Sequence, residues 1–312
     1  MKDVSVIITS FQRAWALKYS LRSLLDQTVP ADEIIIVLKP SGDGSEKVIE
    51  KFRKMLPIKL LLQKRGNVAE AEEIGIKSSN GHLTIFLDDD AVAEKDFVKK
   101  WVEFFKVHSD AGGASGSVLK AYLRHDLLIR TQENYLPRKS SNLVYLPKYC
   151  KPLKIFRGYS GWISKSGLLF SLNDYIRTNI AYNGVLCEAN MAFLSKLIKD
   201  CPVGKIFKNS RKCYSWGSLL AYWVRHKGFH TYAIRYRGVA PTIWHIVHSN
   251  KLTTCDRLWD RLWFSFDVFK NYWRYKNLRA DVSFKDYLVA TAALVKKDVC
   301  ARLLAFLFAL IR

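Results

Sequence analysis

The sequence predicts an α/β fold built on a doubly wound, mainly parallel sheet. Over the first hundred residues, short apolar runs rich in β-branched residues alternate with segments whose apolar residues recur at helical spacing. The fourth apolar run, 83–87, ends in three consecutive aspartates, Asp88, Asp89 and Asp90. Apolar residues make up 49% of the 312 residues, which is ample for a buried core and argues against a disordered chain.

Each predicted element follows from its local pattern. Strands are expected in the short apolar runs at 4–8, 33–37, 58–62 and 83–87, the last of which follows the turn pair Asn80-Gly81. Helices are expected at 15–25, 46–55, 68–78 and 97–107. Strand–helix alternation of this kind predicts parallel strands with helices on both faces of the sheet. No Gly-x-Gly-x-x-Gly follows the first strand, so an ordinary dinucleotide-binding fold is not favoured, and the P-loop motif is absent.

The three aspartates are the strongest functional signal in the chain. In an open parallel sheet, ligands bind just beyond the carboxyl ends of the strands. Three carboxylates at one strand end repel each other unless a cation neutralises them, and Mg²⁺ or Mn²⁺ accepts carboxylate and phosphate oxygens in one coordination shell. The run therefore predicts a metal–diphosphate site. The alternative is a solvated acidic turn or a helix N-cap, with a helix beginning at 91–94.

Five segments carry a family resemblance. They are Ser5-Val6-Ile7-Ile8-Thr9-Ser10-Phe11-Gln12-Arg13, similar to S-V-I-I-P-T-Y-N-R; the glycine- and alanine-containing stretch 66–81; Phe86-Leu87-Asp88-Asp89-Asp90, which matches F-L-D-D-D; Glu188-Ala189-Asn190-Met191-Ala192-Phe193, similar to G-A-N-M-A-F; and Arg225-His226-Lys227-Gly228-Phe229, similar to R-x-x-G-Y. With these segments, residues 4–100 resemble the nucleotide-sugar-binding half of a family 2 glycosyltransferase with the GT-A fold. The resemblance extends more loosely to about residue 248.

This resemblance implies an inverting, metal-dependent transfer of a sugar from a nucleotide-sugar donor to an acceptor hydroxyl or lipid phosphate. A Mg²⁺ or Mn²⁺ ion held by Asp90 and Asp88 would bridge the donor diphosphate. His245, or else His248, resembles the histidine that follows the last strand in many members and would join the metal or touch a phosphate. Donor contacts are expected from Thr9, Ser10, Phe11, Arg13, Lys39, Asp88 and Asp89. The acceptor would be a glycan, a lipid-linked molecule or a protein in surface glycan, glycolipid or glycoprotein synthesis.

One departure from the family pattern concerns the nucleotide base. The acidic pair that usually follows the second strand is replaced by Leu38-Lys39, and the usual basic residue of the following helix is Glu72. A leucine cannot accept the imino proton of uracil, and a lysine only donates. A guanosine or another donor is therefore as open as a uridine donor. Lys39 either contacts a phosphate or is a solvated turn residue.

A second departure concerns the catalytic base. Many inverting members carry an acidic pair where the helix that ends in the R-x-x-G-Y segment begins, and here that place holds Trp216-Gly217-Ser218. A hydroxyl nucleophile normally needs a general base. Glu188 is the expected substitute because it adjoins the acceptor-side segment, and Asp200 and Asp174 are the other candidates.

Charge divides the chain into parts. Of its 50 basic and 28 acidic residues, 16 and 15 lie in residues 1–100, so the net charge of +22 comes almost entirely from the rest. We expect a donor-binding half at 1–110, an acceptor-binding half of the same domain at 111–250, and a basic, aromatic, helical tail at 251–312. Nucleic acid is a weak candidate for the basic surface because no nucleic-acid-binding motif is present.

The tail predicts contact with an anionic membrane. Aromatic and basic residues are mixed over 257–276, and two apolar runs follow at 287–295 and 303–311. Neither run reaches the roughly 20 residues of a spanning helix, so interfacial helices are expected. A helical hairpin packed on the protein's own core or on a dimer partner is the alternative. No signal peptide precedes the first strand and the six cysteines lack a C-x-x-C spacing, which predicts a cytoplasmic protein at the inner membrane face.

The leading hypothesis is thus a metal-dependent glycosyltransferase. Its rival is a catalytically degenerate relative that binds nucleotide sugar or serves as a membrane scaffold. The missing acidic pair favours the rival, whereas the intact Asp88-Asp89-Asp90 run favours the enzyme.

Overall fold

A computed structural model of the chain describes residues 3–134, 150–171, 180–235, 238–247, 254–295 and 299–311. Up to residue 110 strands and helices alternate, in the order β1 Val4–Ser10, α1 Ala14–Leu25, β2 Glu33–Leu38, α2 Ser45–Arg53, β3 Ile58–Leu62, α3 Val68–Ser78, β4 Leu83–Leu87, β5 Ala91–Ala93 and α4 Phe97–Val107. The predicted strands and helices of this part are confirmed, with ends that differ by one or two residues. The alternative of a helix beginning at 91–94 is wrong, because this segment pairs as strand β5.

The second part of the chain is richer in short strands. Its elements are β6 Ala111–Ser115, β7 Ser117–Arg124, β8 Leu127–Asn134, β9 Gly161–Ile163, β10 Leu169–Ser171, β11 Ile180–Tyr182, β12 Asn190–Leu194, α5 Ser195–Ile198, α6 Val203–Phe207, α7 Trp216–His226, β13 His230–Ile234 and β14 Thr242–Ile246. The predicted helix ending in the segment 225–229 is α7, and it begins at Trp216 as expected.

The central sheet of the described residues has eight strands in the order β11-β13-β6-β12-β4-β1-β2-β3. β1 pairs in parallel with both β2 and β4, and β2 pairs in parallel with β3. β12 inserts antiparallel between β4 and β6. Strands β2 and β4 are buried on both faces, which explains why they read as continuous apolar runs. The predicted mainly parallel α/β fold is confirmed.

A second sheet of four strands, in the order β5-β14-β7-β8, forms beside the carboxyl end of β4. β14 pairs antiparallel with β5, and in this register His245 lies opposite Ala91. The amide N–H of Ile246 donates to the carbonyl oxygen of Asp90 over 2.8 Å. The short strand that follows the aspartates thus connects the two sheets at the predicted site.

The C-terminal extension is helical, as predicted, and consists of α8 Thr254–Asn277, α9 Phe284–Val295 and α10 Val299–Ile311. α8 buries Phe266, Phe269 and Tyr275, and α10 packs Ala305 and Ala309 against Phe266 and Phe269. The opposite face of α10 is exposed and apolar, with side chains between 43% and 81% accessible: Leu303, Leu304, Leu307, Phe308, Leu310 and Ile311. In the part of the chain that the structure describes, no helix is both long and apolar enough to cross a membrane.

Candidate active site

The parallel pairing of β1 and β4 brings two chain segments together at one edge of the sheet. β1 ends at Ser10 and β4 ends at Leu87, so the segment that follows β1 lies beside Asp88, Asp89 and Asp90. The Ser10 hydroxyl donates to Asp89 Oδ2 over 2.7 Å. Asp89 is therefore turned toward the end of β1. Asp88 and Asp90 instead lie next to His245.

Asp88, Asp90 and His245 form a cluster of potential metal ligands. One ligand atom from each lies within 4.8 Å of the others. His245 Nε2 is 3.0 Å from Asp90 Oδ1 and 3.4 Å from Asp88 Oδ2. Two carboxylate oxygens and one imidazole nitrogen suit Mn²⁺ or Mg²⁺ and leave coordination positions for diphosphate oxygens. His245 lies inside β14, so the expectation of a histidine that follows the last strand is wrong in that detail.

The electrostatics of the cluster reflect crowded carboxyl groups. Burial raises the pKa of Asp89 to about 7, and the charge of Asp90 adds to the rise. Burial also raises the pKa of Asp90, against the opposing charges of His245 and Arg13. Burial alone would lower the pKa of His245, but its hydrogen bond to Asp88 and the charge of Asp90 outweigh it and raise the pKa. Arg13 forms an ion pair with Asp90, so its guanidinium and the His245 imidazole both face these carboxylates.

A cleft of about 950 Å³ opens over the cluster. Nine of the candidate residues predicted from the sequence line it, namely Thr9, Ser10, Phe11, Arg13, Lys39, Asp88, Asp89, Asp90 and His245. Lys39 donates to the carbonyl oxygen of Gly66 over 3.0 Å and lies 5.2 Å from the centre of the Phe11 ring. It is therefore a cleft residue and not a freely solvated turn lysine.

The residues that depart from the family pattern for the nucleotide base lie in or behind the wall of the cleft. Leu38 is fully buried, so the family's acidic contact to the base has no counterpart at this position. Glu72 is buried behind Thr9, whose hydroxyl donates to Glu72 Oε1 over 3.0 Å. Burial raises the pKa of Glu72 well above its ordinary value, and its second oxygen has no hydrogen-bond partner among the described residues. The cleft wall here consists of Val37, Lys39, Gln63 and Asn67.

Glu188 lies beside the cleft rather than in its lining. β12 pairs with β4 so that Asn190 is opposite Leu87, which places Glu188 just beyond the carboxyl end of β4. Its Oε1 accepts a hydrogen bond of 3.0 Å from the N–H of Gly217, at the start of α7. The Glu188 carboxyl group thus contacts the start of α7, where the sequence has Trp216-Gly217-Ser218. Burial raises its pKa to about 8, the Gly217 N–H opposes the rise, and the charge of Asp88 adds to it.

The other candidate bases are not brought to this site. Asp200 is 62% exposed and pairs with Lys227, and it also accepts from the indole N–H of Trp223. Its pKa is lowered: burial acts to raise it, but the hydrogen bonds from Lys227 and Trp223 outweigh that effect. Asp174 and His248 lie outside the described residues.

One wall of the cleft was not predicted from the sequence. It is formed by the loop between α6 and α7, residues 208–215, which we call the cleft loop, and by Trp263 of α8. Lys208 and Arg211 of the cleft loop are exposed and face a cleft whose other wall carries the aspartates. Three basic residues in five positions, 208–212, were the available signal, but only the folded chain shows that they lie across from Asp88 to Asp90.

Comparisons with known proteins agree with this geometry. Residues 5–151 match the family described as Glycosyl transferase family 2. Among curated relatives, the poly(ribitol-phosphate) β-N-acetylglucosaminyltransferase TarP of Staphylococcus aureus is 34% identical over 94 residues, or 29% of each chain. The putative teichuronic acid biosynthesis glycosyltransferase TuaG of Bacillus subtilis is 30% identical over 121 residues, which are 38% of this chain and 48% of that protein. The matched segments thus span less than half of these relatives' length.

Solved structures extend the similarity to nearly the whole chain. S. aureus TarS superposes with a TM-score of 0.55 at 14% identity, over 95% of this chain and 42% of that one. The mannosyltransferase PcManGT of Pyrobaculum calidifontis, solved with GDP-Man and Mn²⁺, gives a TM-score of 0.57 at 17% identity over 99% of this chain and 74% of that one. At these identities the likeness establishes a shared GT-A fold.

Proposed function

Because the chain belongs to glycosyl transferase family 2 through residues 5–151, we propose that it transfers a sugar, with inversion, from a nucleotide-sugar donor to an acceptor on a surface glycan or its lipid-linked precursor. The observation that carries the proposal is the Asp88–Asp90–His245 cluster at the base of a cleft of about 950 Å³. Two carboxylates and an imidazole offer a divalent cation three ligands, and a cation bound there would attract a diphosphate.

The donor diphosphate binds between two walls of opposite charge. Asp88, Asp90 and His245 would hold Mg²⁺ or Mn²⁺, which would supply Lewis-acid neutralisation of charge on the departing nucleoside diphosphate. Arg13 orients Asp90 through its ion pair. Lys208 and Arg211 face the same space from the cleft loop and add positive charge near the phosphates. The relatives include an S. aureus TarS complex with UDP-GlcNAc and the PcManGT complex with GDP-Man and Mn²⁺, which is consistent with this role.

Glu188 is the proposed general base. The acceptor hydroxyl attacks the anomeric carbon from the face opposite the phosphate, its proton passes to Glu188, and the bond from the anomeric carbon to the phosphate oxygen breaks. A carboxyl with a pKa of about 8 holds a transferred proton well, yet it is partly ionised near neutral pH. Its hydrogen bond from Gly217 at the start of α7 weakens the main argument for a catalytically degenerate protein.

Attachment to an anionic membrane surface is the second part of the proposal. The exposed face of α10 presents Leu304, Leu307, Phe308 and Ile311 at helical spacing, which is the pattern of an interfacial helix. The net charge of +22 favours anionic lipid headgroups. α8 buries Phe266, Phe269, Tyr272 and Tyr275 on one face, as the alternative of packing on the protein's own core expects, but its other face leaves Trp259 and Phe264 exposed. The cytoplasmic location stays a prediction.

The test is release of nucleoside diphosphate from a panel of UDP-, GDP- and dTDP-sugars, with and without Mn²⁺. We expect slow, metal-dependent release from one donor by the wild type and none by Asp90→Ala. Asp126→Ala removes an exposed aspartate and serves as the matched control that keeps activity. Donor binding without any turnover would favour the degenerate alternative, and the absence of binding to every donor would overturn the proposal.

A further inference from the structure

α8 carries two buried charged residues that face the cleft loop. Asp267 and Arg274 are two turns apart on the helix, and their side chains are 0% and 5% exposed. Arg274 Nη2 lies 2.7 Å from Asp267 Oδ1, and the guanidinium carbon lies 4.0 Å from the centre of the Phe207 ring at the end of α6. Charged side chains are rarely buried this completely unless they are paired.

The pair fastens both ends of the cleft loop. At the first end, the Ser210 hydroxyl donates to Asp267 and accepts from Arg274. At the second end, the N–H of Tyr214 donates to Asp267 Oδ2 over 3.4 Å. Asn271, which accepts from Arg274 over 2.7 Å, donates in turn to the Ser215 hydroxyl over 2.7 Å.

The cleft loop needs these anchors because its own backbone is strained. Cys213 and Ser215 have φ angles of 52° and 74°, in the left-handed region that non-glycine residues rarely adopt. Such conformations persist only where surrounding contacts determine them. The strained stretch leads directly into α7, where the N–H of Gly217 holds the carboxylate of Glu188.

From this geometry we propose that Asp267 and Arg274 are positioning residues for the transfer reaction. They hold Lys208 and Arg211 against the donor cleft and, through the start of α7, set the position of Glu188. The inference rests on the proposed function, and it assigns to α8 a role in the site that lies outside residues 5–151, the part matched by the family.

A buried ion pair is by itself weak evidence for a stabilising role, because well-packed apolar residues of similar volume often serve stability equally well. A suitable substitution can therefore distinguish a role in positioning the cleft loop from a role in stabilising the fold. The double variant Asp267→Leu/Arg274→Met removes both charges together, so no uncompensated buried charge remains, while the hydrogen bonds to the cleft loop and to Asn271 are lost together with the guanidinium contact on Phe207. Arg274→Lys keeps the charge but lacks the planar fork that reaches Asp267 and Asn271 at once.

The matched control is Asp260→Ala. Asp260 also lies on α8 and also pairs with the cleft loop, through Lys212 at 2.7 Å, but this pair is exposed, with side chains 46% and 40% accessible. An exposed pair of this kind contributes little. We expect the control to change kcat/KM for the donor less than twofold.

For the double variant we expect wild-type thermal stability, a fall in kcat/KM for the donor of at least tenfold, and amide hydrogen exchange over residues 208–217 at least tenfold faster than in the wild type. Arg274→Lys should fall between the two and stands in if the double variant does not fold. Wild-type exchange and activity in a folded variant, or an activity loss that only follows a lowered melting temperature, would overturn the inference. If the wild type shows no turnover, the proposed function fails, and the exchange measurement still decides whether α8 positions the loop.

Discussion

The two walls of the cleft are built in different ways. The acidic wall comes from segments at the ends of neighbouring strands, with Asp88, Asp89 and Asp90 consecutive in the sequence and Ser10 one strand away. The basic wall comes from the cleft loop, and residues of α8 more than fifty positions further along the chain hold it in place. The first wall directly follows strands of the central sheet, whereas the second depends on side-chain contacts with α8, outside that sheet.

The two walls therefore have different roles in the proposed reaction. The acidic wall suits a metal and therefore the diphosphate that UDP-, GDP- and dTDP-sugars share. In the proposed reaction, Lys208 and Arg211 on the other wall add positive charge near the phosphates, and Glu188, held at the start of α7, takes up the acceptor's proton. Changes to the two walls should therefore separate metal and donor binding from turnover.

The largest separation should come from Glu188→Gln. Loss of the general base should lower turnover by about 10²–10⁴-fold while the donor still binds. In the wild type, turnover should rise with pH until about 8 and then level off, because Glu188 has a pKa of about 8 and must be ionised to accept a proton. The variant should lose that rise. Glu133→Gln, at an exposed glutamate, is the control, and a variant with wild-type turnover would exclude Glu188 as the base.

A smaller effect is expected from His245→Asn on the acidic wall. Removal of the imidazole should raise the Mn²⁺ concentration for half-maximal activity at least about tenfold, since even outer ligand partners are worth about 10–100-fold in metal affinity. Saturating Mn²⁺ should restore much of the activity. His125→Asn changes an exposed histidine with a φ of 48°, which asparagine tolerates, and should behave as wild type. An unchanged metal dependence in His245→Asn would remove this residue from the metal site.

The exposed face of α10 should affect membrane binding but not the chemistry. Leu304→Gln/Leu307→Gln should reduce partitioning onto anionic phosphatidylglycerol vesicles by about tenfold or more, because burial of each leucine is worth roughly 1.5–3 kcal/mol. Hydrolysis of a soluble donor should be unchanged. The control Val107→Gln/Leu127→Gln alters two apolar residues outside the tail that are more exposed than these leucines. Equal vesicle binding by both double variants would place the membrane contact elsewhere.

The smallest expected effect is on stability. The folded-state pKa of Glu188, about 8, lies above its ordinary value of 4.5, so between these pH values the folded protein holds a proton that the unfolded chain releases. Stability contributed by this carboxyl is complete below pH 4.5 and falls as the pH rises toward 8. Denaturant unfolding should show Glu188→Gln to be more stable than the wild type at pH 9 by roughly 1–3 kcal/mol, but not at pH 4. The same difference at both pH values would mean that the carboxyl is not perturbed.

The acidic wall of the cleft could be predicted from the sequence, whereas the basic wall could not. Short apolar runs and helical periodicity identify β1 to β4 and their helices, because these elements follow local patterns and neighbouring strands pair in parallel. Asp88, Asp90 and Ser10 are predictable as a site because strand ends meet at one edge. The segment 91–94 was open to a helical interpretation because so short a segment carries too little periodicity. Its pairing with β14 shows that it forms a strand.

Long-range contacts account for what the sequence could not provide. The proximity of Glu188 to Gly217 depends on the antiparallel insertion of β12 next to β4, a pairing without a local signature. The cleft loop and its anchors Asp267 and Arg274 depend on how α8 returns to the domain. A seven-residue spacing of opposite charges on an otherwise aromatic helix face was the available hint, and it becomes informative only once that face is known to be buried.

Calorimetric titration of the donor identified by the panel tests the central claim most directly. We predict that the wild type binds this nucleotide sugar only when Mn²⁺ or Mg²⁺ is present, and that Asp90→Asn shows no binding under the same conditions, while Asp126→Asn binds as the wild type does. Donor binding that is independent of metal, or that survives in Asp90→Asn, would contradict the assignment of Asp88, Asp90 and His245 as a metal–diphosphate site.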